Sequence, residues 1–212
     1  MTQPCRPRPS RAATAVAFCL IIVSLAACGG DKAAPSTTAP EGFTVMSDDD
    51  EGFALAVPSD WTRVPLRVNP ADFDKDANEL RRANPKLASI LNQARVLGQS
   101  GGKFMAVAPD GVANVNLTAD KPKEKTVDEI VTNSIEGLKS FQAENFAQEP
   151  ATLAGKPAVR LSFRLPVDTD AGRVPTDEVQ HYLLEDGKAY ILTVAAATPQ
   201  VASAIASSLR LR

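Results

Sequence analysis

The sequence predicts an α+β fold in which an antiparallel β-sheet packs against helices. Segments of alternating apolar and polar residues come in pairs, and tight turns join the members of each pair. Between the pairs lie amphipathic segments with helical spacing and capping residues at their starts. The links within a pair are far shorter than the dozen or so residues of a parallel crossover, so the pairs are antiparallel hairpins.

The first predicted hairpin occupies residues 43–58. Apolar side chains alternate on either side of the acidic turn Asp48–Gly52, and Pro58 ends the second strand. The four contiguous acids Asp48 to Glu51 splay apart, so we interpret them as a solvated turn and not as a metal site. Trp61 follows directly after this hairpin.

Two helices are predicted next, each beginning at an Asn-Pro pair that serves as N-cap and first helical residue. Asn69–Pro70 opens the first, which runs through residues 72–82, and Asn84–Pro85 opens the second, over residues 86–97. Gly98 is the expected left-handed residue after the second helix. The apolar residues of the second helix recur at helical spacing: Leu87, Ile90, Leu91, Ala94 and Leu97.

Further hairpins and helices alternate to the end of the chain. Residues 103–109 and 112–119 read as strands joined at Asp110–Gly111, and residues 151–166 as two short strands. The clearest hairpin covers residues 177–197 and turns at Glu185–Lys188. Two helices are predicted in this part of the chain. A capping box of Thr126 and Glu129 opens the first, and the second covers residues 200–209 after Thr198–Pro199. One face of the first helix carries Val127, Ile130, Val131, Ser134, Ile135 and Leu138.

The first 27 residues have the composition of a secretory signal peptide. Arg6, Arg8 and Arg11 form a basic start without acids, and residues 12–27 carry no charge. That apolar run has 16 residues, fewer than the roughly 20 that a membrane-spanning helix needs. An uncleaved signal anchor is the alternative interpretation.

The end of this segment, Leu25-Ala26-Ala27-Cys28, resembles the bacterial lipobox. The resemblance implies cleavage between Ala27 and Cys28 and a diacylglyceryl group on the sulfur of Cys28. Residues 28–42 are rich in Gly, Ala, Pro, Ser and Thr, as a flexible tether is, which leaves residues 43–212 as the globular domain. Cys5 and Cys19 would leave with the signal peptide, so the mature domain would have no disulfide and no thiol chemistry.

Composition excludes some classes of function. The whole chain carries a net charge of −2, and loss of the three early arginines makes the remainder more acidic. Nucleic-acid binding needs a concentrated basic surface, so we expect none. No glycine-rich loop links a strand to a helix as a phosphate-binding loop would, and we expect no nucleotide or other cofactor.

One motif has the spacing of a serine hydrolase. Residues 98–102, Gly-Gln-Ser-Gly-Gly, match the nucleophile elbow around Ser100, and His181, the single histidine of the chain, would be the base. The acid would come from Asp168, Asp170 or Asp177. However, the elbow must follow a strand and open a helix, whereas here a helix precedes it and a strand follows. We therefore interpret the motif as a helix end and His181 as a half-buried strand residue satisfied by a neighbour.

The sequence also contains only incomplete matches to metal-binding motifs. Asp168-Thr169-Asp170-Ala171-Gly172 starts like a calcium loop, but Gly172, Arg173 and Val179 stand where a ligand, a glycine and the final glutamate are needed. A lone histidine without a thiolate cannot complete a zinc site. Glu124, Asp128 and Glu129 sit at a predicted helix start, where acids favour the positive end of the helix dipole. The sequence predicts no metal and no catalytic residues.

Three segments are similar to PsbP-like domains. Residues 53–61, FALAVPSDW, resemble their strand-Pro-x-x-Trp opening, residues 152–165 their glycine-linked strand pair, and residues 187–211 their closing strand, helix and serine-containing final strand. Among exported members the chain looks most like the LpqN/LpqT-type lipoproteins of mycobacteria and other actinobacteria. The resemblance implies a sheet between helices (α/β/α) and a binding or accessory role without catalysis.

These observations together predict an exported lipoprotein (palmitate-type anchor) on the outer face of the cell membrane. We expect a non-enzymatic accessory protein of the cell envelope that assists envelope lipid or protein complexes, with an envelope protein or glycolipid as partner. The alternative is a surface carrier of an acyl or glycolipid ligand. Within the resemblance Trp61 is interpreted as a core residue, with a partner surface as its other possible role.

Overall fold

The computed structural model describes residues 37–66, 69–169 and 172–212. The predicted signal peptide, Cys28 and most of the predicted tether lie outside the described residues, as does Asp170. Among the described residues, no helix is long and apolar enough to cross a membrane.

The described strands are β1 (Phe43–Asp48), β2 (Phe53–Pro58), β3 (Thr62–Arg63), β4 (Gly102–Val107), β5 (Asn114–Asp120), β6 (Glu144–Leu153), β7 (Lys156–Thr169), β8 (Gly172–Glu185), β9 (Lys188–Ala195) and β10 (Arg210–Leu211). The helices are α1 (Pro70–Ala83), α2 (Ala88–Gln99), α3 (Val127–Ser140) and α4 (Pro199–Ser208). A short 3₁₀ turn, Pro85–Leu87, leads into α2.

The strands form two sheets in which every pairing is antiparallel. The larger sheet has the order β3-β4-β5-β9-β8-β7-β6, and the smaller has the order β1-β2-β10. This confirms the predicted α+β class with antiparallel hairpins. The separate small sheet was not predicted, because its third strand comes from the C-terminus, at Arg210–Leu211, and alternation along the chain does not show which distant strands pair.

Helices cover both faces of the large sheet, which confirms the sandwich. One face carries Phe104, Leu117 and Leu192 into a core shared with the small sheet and α4. The opposite face carries Met105 and Val107 against α1 and α2. Further along that same face, Leu161, Phe163 and Tyr182 pack against α3.

The predicted caps are formed. The side chain of Asn69 accepts a hydrogen bond from the backbone of Ala71 at 3.0 Å. Thr126 and Glu129 make both bonds of the capping box at the start of α3. Such caps satisfy backbone N–H groups that a helix start otherwise leaves without partners.

Two local predictions were wrong. Gly98 lies inside α2, and Gly101, with φ of +87°, is the left-handed residue beyond its end. The final strand contains no serine, since Ser208 belongs to α4. On either side of Asp170 and Ala171, which lie outside the described residues, β7 and β8 stay paired out to Thr169 and Gly172. No group of three or more potential ligands that could hold a metal occurs among the described residues.

The end of the predicted tether contacts the domain. The hydroxyl of Thr37 donates a hydrogen bond to the carbonyl oxygen of Ser208 at 2.8 Å. Ser208 is itself buried, and its hydroxyl accepts from the backbone N–H of Ala56 at 2.8 Å and donates to the carbonyl of Ile205 at 2.7 Å. The chain therefore enters the domain beside the C-terminal end of α4.

Candidate functional site

A cavity of about 580 Å³ lies on the face of the large sheet that α2 and α3 cover, between the part under α2 and the part under α3. Three segments enclose it: the 3₁₀ turn with α2, the β4–β5 turn, and the outer half of the β7–β8 hairpin. A volume of this size is within the range of small-molecule sites in proteins. We refer to it as the Glu178 cavity, after the carboxyl group described below.

Most of the surface that lines the cavity is apolar. Leu165 and Val167 come from β7, Val174 comes from β8, and Ile90 from α2 lies opposite them. Val174 is 43% exposed, which is unusual for a large apolar side chain on a strand. An apolar wall that remains accessible favours a ligand with an apolar body.

Three polar side chains on strands are buried at the cavity. Glu178 is 9% exposed, Thr176 is 7% exposed and Asn114 is 6% exposed. Thr176 and Glu178 are two residues apart on β8, so both point to the same face. Asn114 on β5 points to this face too, with Ala195 of β9 in register between it and Glu178. Sheet geometry thus gathers these side chains on one face.

The carboxyl group of Glu178 lacks a partner among the described residues. Burial is the cause that raises its pKa from 4.5 to about 7, with no hydrogen bond or charge contributing. Desolvation without compensation disfavours the charged form of a carboxyl group. Perturbed carboxyl groups of this kind cluster at functional sites.

The rim of the cavity is polar and exposed. Lys86, Ser89 and Gln93 come from the 3₁₀ turn and α2, and Asp110 comes from the β4–β5 turn. The adjacent Gly111 has φ of +77°, and a Cβ there would lie 2.2 Å from the carbonyl oxygen of Lys86. This glycine therefore allows the turn to approach the helical segment and close that side of the cavity.

His181 lies on the other face of the sheet and does not reach this cavity. It is 6% exposed, and its Nδ1 atom has no hydrogen-bond partner among the described residues. The prediction of a half-buried histidine satisfied by a neighbour was therefore wrong. Burial, with a smaller contribution from Arg160, lowers its pKa from 6.5 to about 4, so the imidazole is neutral at pH 7.

Ser100 and His181 do not form a catalytic pair. Ser100 ends α2, which packs on the Met105 face, and its hydroxyl donates to the carbonyl of Val96 at 2.9 Å. His181 pairs in register with Leu192, whose side chain belongs to the core on the opposite face. The sheet separates the two residues, which removes the geometry that a serine hydrolase requires. Of the candidate acids, Asp177 is exposed and accepts a hydrogen bond from Nε of Arg164 at 3.0 Å.

The acidic clusters have structural roles. Asp48 pairs with Arg63 at 2.8 Å and also accepts from the backbone of Glu51, and these contacts outweigh its slight burial and lower its pKa. Glu129 accepts from the backbone N–H groups of Lys125 and Thr126, at 2.8 and 3.2 Å. The interpretation of these acids as turn and cap residues is thus confirmed.

Trp61 is 8% exposed and belongs to the core between the two sheets. This is the core position that the family resemblance implied. Little of its side chain is available to a partner in this arrangement. The partner-surface role of Trp61 has no support from its surroundings.

Sequence reasoning missed Glu178. The stretch from Thr176 to Leu184 alternates in a way that is compatible with a hairpin exposed on one face, and a glutamate on such a strand is ordinarily solvated. Its burial depends on α2 and the β4–β5 turn, which are far away in sequence. No local signal distinguishes it from Glu185 on the same strand, which is only half-buried and pairs with Lys156.

No family model and no curated protein matches the sequence. Among solved structures, cyanobacterial PsbP (CyanoP) from Synechocystis sp. PCC 6803 has a TM-score of 0.50 and 15% identity, covering 89% of this chain and 99% of that chain. LpqN of Mycobacterium tuberculosis, described as involved in cell envelope biogenesis, has a TM-score of 0.36 and 10% identity, covering 83% and 82%. The LpqN score is too low to establish a common fold. The match to CyanoP, together with the antiparallel sheet between helices, shows that the chain has a PsbP-like fold.

Proposed function

We propose that this protein is an exported, lipid-anchored binding or accessory protein on the outer face of the cell membrane. The observation that carries the proposal is the sequence Leu25-Ala26-Ala27-Cys28 at the end of an uncharged run of 16 residues. Lipidation of Cys28 adds two acyl chains, and two chains give durable membrane attachment where one gives marginal binding.

The contact of Thr37 with the rest of the domain supports a short distance between the domain and the membrane surface. The segment between Cys28 and Thr37 has eight residues. A flexible chain of that length reaches roughly 15 Å. The C-terminal end of α4 would then be the part of the domain nearest the lipid surface, and the Glu178 cavity would lie on the other face of the sheet.

A non-enzymatic role is favoured by the separation of Ser100 from His181 and by the structural use of the acidic clusters. We expect the partner to be a protein or glycolipid of the cell envelope. Crosslinking in intact cells, followed by identification of the attached species, tests this expectation. Capture of nucleic acid, or of cytoplasmic proteins alone, would contradict it.

A second candidate function is transport of an acyl or glycolipid ligand. The Glu178 cavity favours it, because its walls are largely aliphatic and its volume suits a small amphipathic molecule. Native mass spectrometry of the protein released from membranes would detect such a ligand. A protein that carries no bound small molecule after gentle purification would count against the carrier function.

The anchor is tested by metabolic labelling with an alkyne fatty acid. We expect the wild type to incorporate the label and to fractionate with membranes, and Cys28→Ala to lose both properties. Cys19→Ala is the matched control, since it removes a cysteine nine residues away and should leave labelling unchanged. Equal labelling of wild type and Cys28→Ala would refute the anchor.

A further inference from the structure

We propose that the Glu178 cavity binds an amphipathic amine, whose ammonium group pairs with the carboxylate of Glu178 while its aliphatic part lies along Leu165, Val167 and Val174. This inference rests on the proposed carrier function and narrows its ligand to an amphipathic molecule that carries a positively charged amine.

The buried polar groups of the cavity leave acceptor atoms available. Asn114 uses its side-chain NH₂ to donate to the carbonyl of Val112 at 3.1 Å, which leaves its side-chain oxygen as an acceptor. Thr176 directs its hydroxyl toward the carbonyl of Val174 at 3.4 Å, so its oxygen lone pairs can accept. With the two carboxylate oxygens of Glu178, these atoms give the cavity several hydrogen-bond acceptors on one face of the sheet.

An ammonium group matches this arrangement. It carries a positive charge and three N–H donors and has no acceptor of its own. Hydrogen bonds between a charged donor and a charged acceptor are roughly twice as strong as neutral ones. An isolated buried carboxylate is costly, and an ion pair with additional hydrogen bonds reduces that cost.

The opposite charge is disfavoured. A fatty-acid carboxylate that entered with its head at Glu178 would meet the like charge of the ionised carboxylate and the acceptor oxygens of Asn114 and Thr176. The cation that lines the cavity, Lys86, is on the exposed rim and has no ion pair with Glu178 in the described structure. Asp110 on the same rim adds a second negative charge near the entrance and further favours a cation.

The test is calorimetric titration of the full chain carrying Cys28→Ala, which removes acyl chains that could compete for the cavity. The probes are decylamine and decanoate, which share chain length and differ in head-group charge, at pH 8, where Glu178 is ionised. We expect decylamine to bind at least ten times more tightly than decanoate. We also expect Glu178→Gln to weaken decylamine binding by ten-fold or more, as loss of a charge-assisted hydrogen bond implies.

Asp177→Asn is the matched control. It removes the same charge from the adjacent residue, whose side chain is exposed on the opposite face and paired with Arg164. It should leave decylamine binding unchanged. Equal affinity of decylamine for wild type and Glu178→Gln would overturn the proposal, as would tighter binding of decanoate.

A second measurement keeps the test independent of the folding of the variant. Affinity of the Cys28→Ala chain for decylamine should fall several-fold between pH 8 and pH 6, because Glu178 becomes protonated while the amine keeps its charge. Among the described residues, the other charged groups that line the cavity are Lys86 on the 3₁₀ turn and Asp110 on the β4–β5 turn. An affinity that does not change with pH would contradict the pairing. Because these titrations do not involve the anchor, their failure is distinguishable from a failure of Cys28 labelling.

Discussion

Replacement of Glu178 by glutamine should stabilise the domain at alkaline pH and change its stability little at acidic pH. Glutamine has nearly the same shape but cannot ionise. In the folded protein burial raises the pKa of Glu178 to about 7, from an ordinary value of 4.5. A raised pKa means that the folded state holds its proton more tightly, so stability is greatest below pH 4.5 and is lost as the pH rises through 7.

The magnitude follows from the size of the pKa shift. Each pKa unit corresponds to about 1.4 kcal/mol, so full ionisation of Glu178 costs the folded state about 3 kcal/mol. At pH 5 most of that cost is absent, because the folded state keeps the group protonated. The difference in unfolding free energy between Glu178→Gln and wild type should therefore grow by about 2.5 kcal/mol between pH 5 and pH 8.

Urea unfolding at pH 5, 6, 7 and 8 measures this difference for each protein. Taking the difference at each pH removes the contribution of His181, which titrates in both proteins. Asp177→Asn serves as the control and should track the wild type. Parallel stability profiles for Glu178→Gln and wild type over this range would refute the claim that the carboxyl group is buried without a partner.

Other substitutions test the remaining structural claims. Gly111→Ala should lower the unfolding free energy, measured in urea, by more than about 2 kcal/mol, because the new Cβ would collide with a backbone oxygen. Gly187→Ala, at a similar φ but with open space around it, should lower it by only about 1 kcal/mol. Equal losses would contradict the close approach at Gly111. Thr126→Ala should cost about 1 kcal/mol through loss of the α3 cap, and no loss in thermal unfolding would refute the cap. Ser208→Ala should cost about 1–3 kcal/mol by leaving a buried N–H of β2 unsatisfied, and a neutral result would contradict that bond. His181→Leu should reduce the loss of stability between pH 7 and pH 4, since the wild type must protonate a buried imidazole whose folded pKa is about 4; an unchanged acid profile would show that His181 is solvated.

Local patterns predicted the elements of this fold well. The capping residues Asn69 and Thr126 and the turn at Asp186–Gly187 stand where the sequence placed them, because caps and tight turns depend on a few neighbouring residues. The separate pairing of β10 with β2 depends on contacts between the two ends of the domain. The periodicity of apolar residues along the chain does not show which distant strands pair.

The candidate site could not be predicted from the sequence for the same reason. Glu178 is on β8, Asn114 is on β5, and Ile90 is on α2, so three distant segments meet at the cavity. The residues that the sequence favoured for chemistry, Ser100 and His181, are separated by the sheet. Motif spacing alone carries no information about which face of a sheet a residue occupies.

The central claim is that the protein is held at the outside of the cell by lipid on Cys28, and intact-mass analysis of the protein extracted from the membranes of the producing cells tests it most directly. The account predicts a mature chain that begins at Cys28 and carries the added mass of a diacylglyceryl group. A chain that still begins at Met1, has no added lipid and is recovered in the aqueous fraction would contradict it.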